Sequence, residues 1–237
     1  MSDIFREVEE ELQRQKMKRI WDRYGLWVIG GALAIILGTV GFKGWEAYQA
    51  SQAADRGDRF LAALELSEEG RTDEAAAALE ALTQDGGPGY AILSRFRAAS
   101  DLSIGGDAQA ALDAFDAIAA DSNVDGFLQD IARIRAGYIA VDMETADAVR
   151  SRIGDLAEAD GPLRFSAREI LGLSAWAASD YQAAKTQYDA LRSDTEMPTA
   201  MRQRVELMQA LLASRLDDTE AAAGSAQSSG DTSAETQ

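Results

Sequence analysis

The strongest constraint on this chain is that its middle repeats itself. Four stretches, EEGRTDEAAAALEAL, SIGGDAQAALDAFDAI, METADAVRSRIGDL and AASDYQAAKTQYDAL, align on Gly70, Gly106, Glu144 and Ser179, anchors that lie 36, 38 and 35 residues apart. Five residues past the anchors stand Ala75, Ala111, Val149 and Ala184; four further on come Leu79, Phe115, Ile153 and Tyr188, and three beyond those Leu82, Ile118, Leu156 and Leu191. Spacings of four and three put this set on one face of a helix. Seven residues before the anchors are Ala63, Ala99, Gly137 and Gly172, small enough for a second helix to pack closely. Each unit therefore reads as helix, short turn, helix. Gly86-Gly87-Pro88 and Gly161-Pro162 separate units, since Pro favours the start of a helix.

A period near 34 with small, turn, Ala and aromatic positions at these offsets resembles the tetratricopeptide repeat. The fourth copy, LGLSAWAASDYQAAKTQYDAL, follows that pattern most closely. The third departs from it, with Glu144 at the turn Gly and Val149 at the Ala. Residues 198–216 read as one further helix, with Glu206 at the small position as suits a terminal cap that faces water. The fold class is therefore all-α: a helical solenoid of about four helix pairs plus a capping helix, over residues 43–216, preceded by a single N-terminal transmembrane helix.

The frame also exposes an oddity. Eleven residues before the anchors, where the repeat usually has Trp or Leu, all four copies carry Arg: Arg59, Arg95, Arg133 and Arg168, with Arg202 extending the series by 34. These side chains either grip carboxylates of a partner, since guanidinium and carboxylate match in two-pronged contacts, or form a structural ladder with Glu80, Asp116 and Asp189 of neighbouring helices.

Composition narrows the chemistry. The chain has no Cys and no His, so thiol nucleophiles, thiolate or imidazole metal sites and Ser-His-Asp arrangements are excluded. No catalytic residues, cofactor or metal ligands are predicted. The loop Asp121-Ser122-Asn123-Val124-Asp125-Gly126 resembles a calcium loop only faintly, because its twelfth position is Ala132 where a bidentate Glu is needed; it reads as a loop and helix cap. From Gly44 onward there are 16 Lys and Arg against 34 Asp and Glu, a net of −18. So acidic a region repels nucleic acid and anionic lipid surfaces.

Ahead of the repeats, RYGLWVIGGALAIILGTVGFKGW holds nineteen residues without charge between Arg23 and Lys43. At 1.5 Å per residue that is roughly 28 Å, near the ~30 Å hydrocarbon core, and it predicts a transmembrane helix over 24–42. Trp27 at one end and Trp45 with Tyr48 at the other suit the two interfaces. Arg14, Lys16, Lys18, Arg19 and Arg23 precede it and only Lys43 follows closely, which predicts a cytoplasmic N-terminus, an exported C-terminal region and a bacterial inner-membrane, single-pass location with a periplasmic domain. Gly30, Ala34, Gly38 and Gly41 share one side of this helix; they are candidates for helix pairing, or reflect only the abundance of Gly in such helices. Residues 1–23 read as a cytoplasmic leader helix, with Ile4, Val8 and Leu12 on one stripe, and 217–237 as a disordered acidic tail.

Trp21, Tyr24 and Gly25, with Gly44-Trp45-Glu46-Ala47-Tyr48-Gln49, complete a likeness in order and architecture over residues 1 to 216. The chain resembles the ancillary Sec-translocon subunit family (YfgM-like). That resemblance implies a non-catalytic scaffold whose protein partners are Sec translocon subunits, a membrane-bound periplasmic chaperone and emerging exported chains. A scaffold for envelope-biogenesis or cell-division machinery has the same architecture. A carboxylate-dependent hydrolase is the reading from a different class.

Overall fold

The computed structural model describes the backbone of residues 3–158 and 160–231, with side chains described at 23, 27, 30–31, 33–158 and 160–217. Nine helices form among them: α1 (Asp3–Glu68), α2 (Thr72–Asp85), α3 (Gly87–Ile104), α4 (Ala108–Ala119), α5 (Gly126–Ala140), α6 (Ala146–Glu158), α7 (Arg164–Ala177), α8 (Tyr181–Ser193) and α9 (Thr199–Asp231). The chain divides into two compact units, Met1–Arg59 and Phe60–Gln237.

The second unit is the all-α repeat array. From α2 onward each helix packs against its chain neighbour, and α5 also touches α7. The repeat frame supplies the core: Ala63, Ala99, Gly137 and Gly172 are buried, as are all the side chains five, nine and twelve residues past the anchors. Burying each Leu, Ile or Phe of that set is worth roughly 1.5–3 kcal/mol, which is why the face repeats while the exposed positions drift. One apolar cluster joins residues of α3 to α7, and a second joins α7, α8 and α9 around Tyr188, Leu191, Val205 and Leu212.

The anchors are helix stops. Gly70 (φ +75°), Gly106 (φ +88°) and Ser179 (φ +61°) adopt left-handed backbone. The next N–H in each case reaches back five residues, from Arg71 to Leu66, Asp107 to Leu102 and Asp180 to Ala175, the Schellman closure that satisfies the last carbonyls of a helix. Asp107 and Asp180 then cap the following helices through Ala110 and Ala183 N–H. The third copy stops differently. Glu144 N–H bonds Ala140 O at 2.8 Å, and its carboxylate accepts from Arg152 at 2.6 Å. The residue that breaks the turn pattern thus holds an arginine instead. In the loop before α5, Asp125 caps that helix through Phe127 N–H.

The first unit corrects the reading of a transmembrane helix. No helix is long and apolar enough, among the described residues, to cross a membrane. A span needs about 20 predominantly apolar residues in one helix, and past Phe42 α1 turns charged at once, with Lys43 paired to Glu46 at 2.7 Å. The single-pass inner-membrane location, with a cytoplasmic N-terminus and a periplasmic domain, falls with the span. The side chains of the leader stripe, and of Trp21, Tyr24 and Gly25, lie outside the described residues, as do those from 218 onward, where the backbone continues α9 to Asp231.

Candidate protein-interaction groove

Within the arginine series, Arg95, Arg133 and Arg168 bond to neighbouring helices of the fold. Arg95 on α3 donates to Asp121 at 2.7 Å and to Ala117 O at 3.2 Å, near the end of α4. Arg133 on α5 donates twice to Arg152 O, at 3.0 and 2.6 Å, and also to Asp155 and Asp130. Arg168 on α7 donates to Ala157 O at 3.1 Å and to Asp194 at 3.4 Å. Arg59 is half-buried and Arg202 exposed. Arg95 and Arg168 therefore tie one helix to the end of a neighbouring one, where carbonyls lack intrahelical donors, and Arg133 reaches a carbonyl in the middle of α6. Their acids are Asp121, Asp155 and Asp194 rather than Glu80, Asp116 and Asp189. Asp116 pairs instead with Arg152, which also holds Glu144, and Asp189 pairs with Lys185. The hydrogen bond from Arg95 holds the Asp121 carboxyl below its ordinary value, and Arg133 and Arg164 do the same for Asp155 and Asp194.

At the proposed pairing face of α1, a Cβ added to Gly30, Gly38 or Gly41 meets nothing within 4 Å, and Ala34 is exposed. The structure thus brings no second helix to that face among the described residues.

What the sequence reading passed over is a groove of about 440 Å³ lined by Tyr138 of α5, Glu169 and Leu173 of α7, Tyr188 of α8, and Arg204, Leu207 and Met208 of α9. Glu169 lies at its heart with a side chain only 7% exposed. Its Oε2 accepts from Tyr138 Oη at 2.8 Å and from Arg204 Nη2 at 3.0 Å, and its Oε1 from Arg204 Nε at 2.8 Å. Burial, then the nearby carboxylate, pushes the Tyr138 hydroxyl up to about 12, and burial raises that of Tyr188 further. The Tyr188 hydroxyl is buried without a hydrogen-bond partner. Its ring passes Gly172, where a Cβ would lie 2.7 Å from it. Leu207, at 61% exposed, forms an open apolar wall.

A signal for this groove does exist in the repeat frame. Ten residues before the anchors stand Phe60, Phe96 and Ile134, and then Glu169. One acid among three apolar equivalents marks a position that has left the core pattern. Nothing comparable marks Arg204, whose partner lies 35 residues away on another helix.

The groove offers a mostly apolar cleft with one buried carboxylate and hydroxyl groups, a lining suited to an apolar segment with a polar anchor. No curated protein and no solved structure matches the chain. The family described as tetratricopeptide repeat-like domain matches it over residues 18–221. Nothing in these comparisons singles out the Sec-associated members within it. With four helix-turn-helix copies in register, three of them closed by left-handed anchors, and a match over most of its length, the chain belongs to the tetratricopeptide repeat-like domain family.

Proposed function

We propose that the chain is a non-catalytic protein-interaction scaffold whose docking site is the groove between α5, α7, α8 and α9. The observation that carries this reading is the pairing of an exposed Leu207 wall with a buried polar floor of Glu169 and Tyr188. Holding partners together raises their effective concentration and needs no chemistry from the scaffold itself.

A finer reading follows from the resemblance of 44–49 and of Trp21, Tyr24 and Gly25: an ancillary subunit of the Sec protein-export translocon, linking it to chaperones. It rests on those short motifs. Site-specific photocrosslinking in intact cells tests both, with one probe at Leu207 in the groove and one at Phe127, exposed on α5 outside it. Defined crosslinks at Leu207 that are absent at Phe127 support the groove. Sec subunits or a chaperone among them support the finer reading, and envelope or division proteins alone would replace it. Identical or empty crosslink sets at the two positions sink the groove reading.

A further inference from the structure

Two residues in the groove break the repeat frame, and they break it toward the same space. At the position nine past the anchor, the other copies bury Leu79, Phe115 and Ile153, which carry no polar atom. The fourth copy buries Tyr188 there, 1% exposed, with its hydroxyl unpartnered. Its ring reaches the groove only because Gly172 lacks a Cβ. A Phe at this site would fill the same volume without a buried donor left unsatisfied. Glu169 is the second departure, a buried acid where the frame is apolar. A carboxylate offers about four lone-pair sites, and Glu169 uses three of them, two on Oε2 and one on Oε1. Room for one more donor therefore remains on Oε1. Arg204 covers the carboxylate from the outside with a side chain 56% exposed, so it can swing aside without leaving a core.

We infer that the groove receives a partner peptide in which a Lys or Arg lies beside aliphatic residues. Its cation joins Glu169 at Oε1, a backbone group satisfies the Tyr188 hydroxyl, and its aliphatic side chains cover Leu207, Leu173 and Met208. The charge of the region selects the sign: an acidic segment would approach a stretch of net charge −18 and meet a buried carboxylate, whereas a basic one is steered inward. Leu211, 43% exposed and four residues beyond Leu207 on α9, extends the apolar wall so that a second aliphatic residue finds cover.

This inference rests on the groove being the docking site, and its test separates the two. Fluorescence anisotropy with the full chain would compare three labelled peptides of about a dozen residues, alternating Leu–Lys, Leu–Glu and Ser–Lys, at about 150 mM salt to screen bulk attraction. The Leu–Lys peptide is expected to bind at least roughly tenfold tighter than either other peptide. Glu169→Gln is expected to weaken it by roughly tenfold and Tyr188→Phe by about threefold. Tyr188→Phe keeps the fold, so it decides the matter if Glu169→Gln melts early. Equal binding of all three peptides, or Leu–Lys binding indifferent to Tyr188→Phe, overturns the inference. A Leu–Glu peptide that binds best and is lost in Leu207→Asp overturns the basic occupant and leaves the groove standing. Absence of any binding sensitive to Leu207→Asp overturns both.

Discussion

Arg133–Asp155 and Arg204–Glu169 are both arginine–carboxylate pairs joining two helices, and they are built in opposite senses. In the first the cation is the sheltered member, 26% exposed against 64% for the acid. In the second the acid is sheltered, 7% against 56% for the cation. A sheltered arginine needs many acceptors, and Arg133 finds them in the Arg152 carbonyl and two carboxylates. Such a site is closed, because every outward direction is already used. A sheltered carboxylate needs few donors, and its exposed cation is exchangeable. The ladder is thus suited to structure and the groove to recognition, although their residue types are the same.

The comparison can be broken most forcefully by acid. Asp121, Asp155 and Asp194 all titrate below their ordinary value because arginines hold them charged. A carboxylate with a lowered folded pKa gives stability that is present above its unfolded value, about 3.9, and is lost as pH falls through the folded one. Melting temperature should therefore stay level across the neutral range and drop steeply below about pH 4. At the other end Tyr138, raised to about 12, gives stability that is full below its unfolded value near 10 and lost as pH climbs between the two. A melt that declines evenly from neutrality in either direction would remove both assignments.

Single substitutions have smaller effects. Gly172→Ala places a Cβ 2.7 Å from the Tyr188 ring, and an overpacked core site of this kind costs about 2 kcal/mol. Chemical denaturation measures it, and Tyr188→Leu should restore most of the loss in the double variant. Arg133→Met leaves the Arg152 carbonyl short of its donors and should cost about 1.5 kcal/mol without changing peptide binding. If it weakened binding and spared the melt, the ladder would be a recognition surface after all. Tyr188→Phe removes an unsatisfied hydroxyl and should raise stability by up to about 1 kcal/mol. Asp155→Asn, at an acid open to solvent, should cost under ~0.5 kcal/mol, readable only as a small shift in denaturant midpoint.

The repeat frame made the core legible residue by residue. Ala63, Ala99, Leu79, Phe115, Ile153 and Leu191 are buried at the positions that spacing assigned them, because a helix face is a local property of the chain. The arginine series was visible for the same reason, since a fixed offset recurs in each copy. Its partners were not. Asp121 and Asp194 lie in connections between helices, beyond the frame, and which acid an arginine reaches depends on how neighbouring helices cross. The uncharged stretch before the repeats misled in a different way. Absence of charge is easily read along a sequence, but spanning a bilayer demands sustained length and apolarity, and no helix supplies these among the described residues.

What the sequence determined by itself was periodic: four helix pairs, their stops at Gly70, Gly106 and Ser179, their buried faces and the absence of imidazole and thiol chemistry. Those features depend on contacts a few residues apart, and a spacing of three and four encodes them directly. Only the tertiary structure decided that Tyr138, Glu169, Tyr188 and Arg204 meet in one groove, and that Arg95, Arg133 and Arg168 reach backbone carbonyls of neighbouring helices. Those contacts join residues up to 35 apart. Their partners are set by helix packing angles and by which side chains find no other acceptor, and neither leaves a period in the chain.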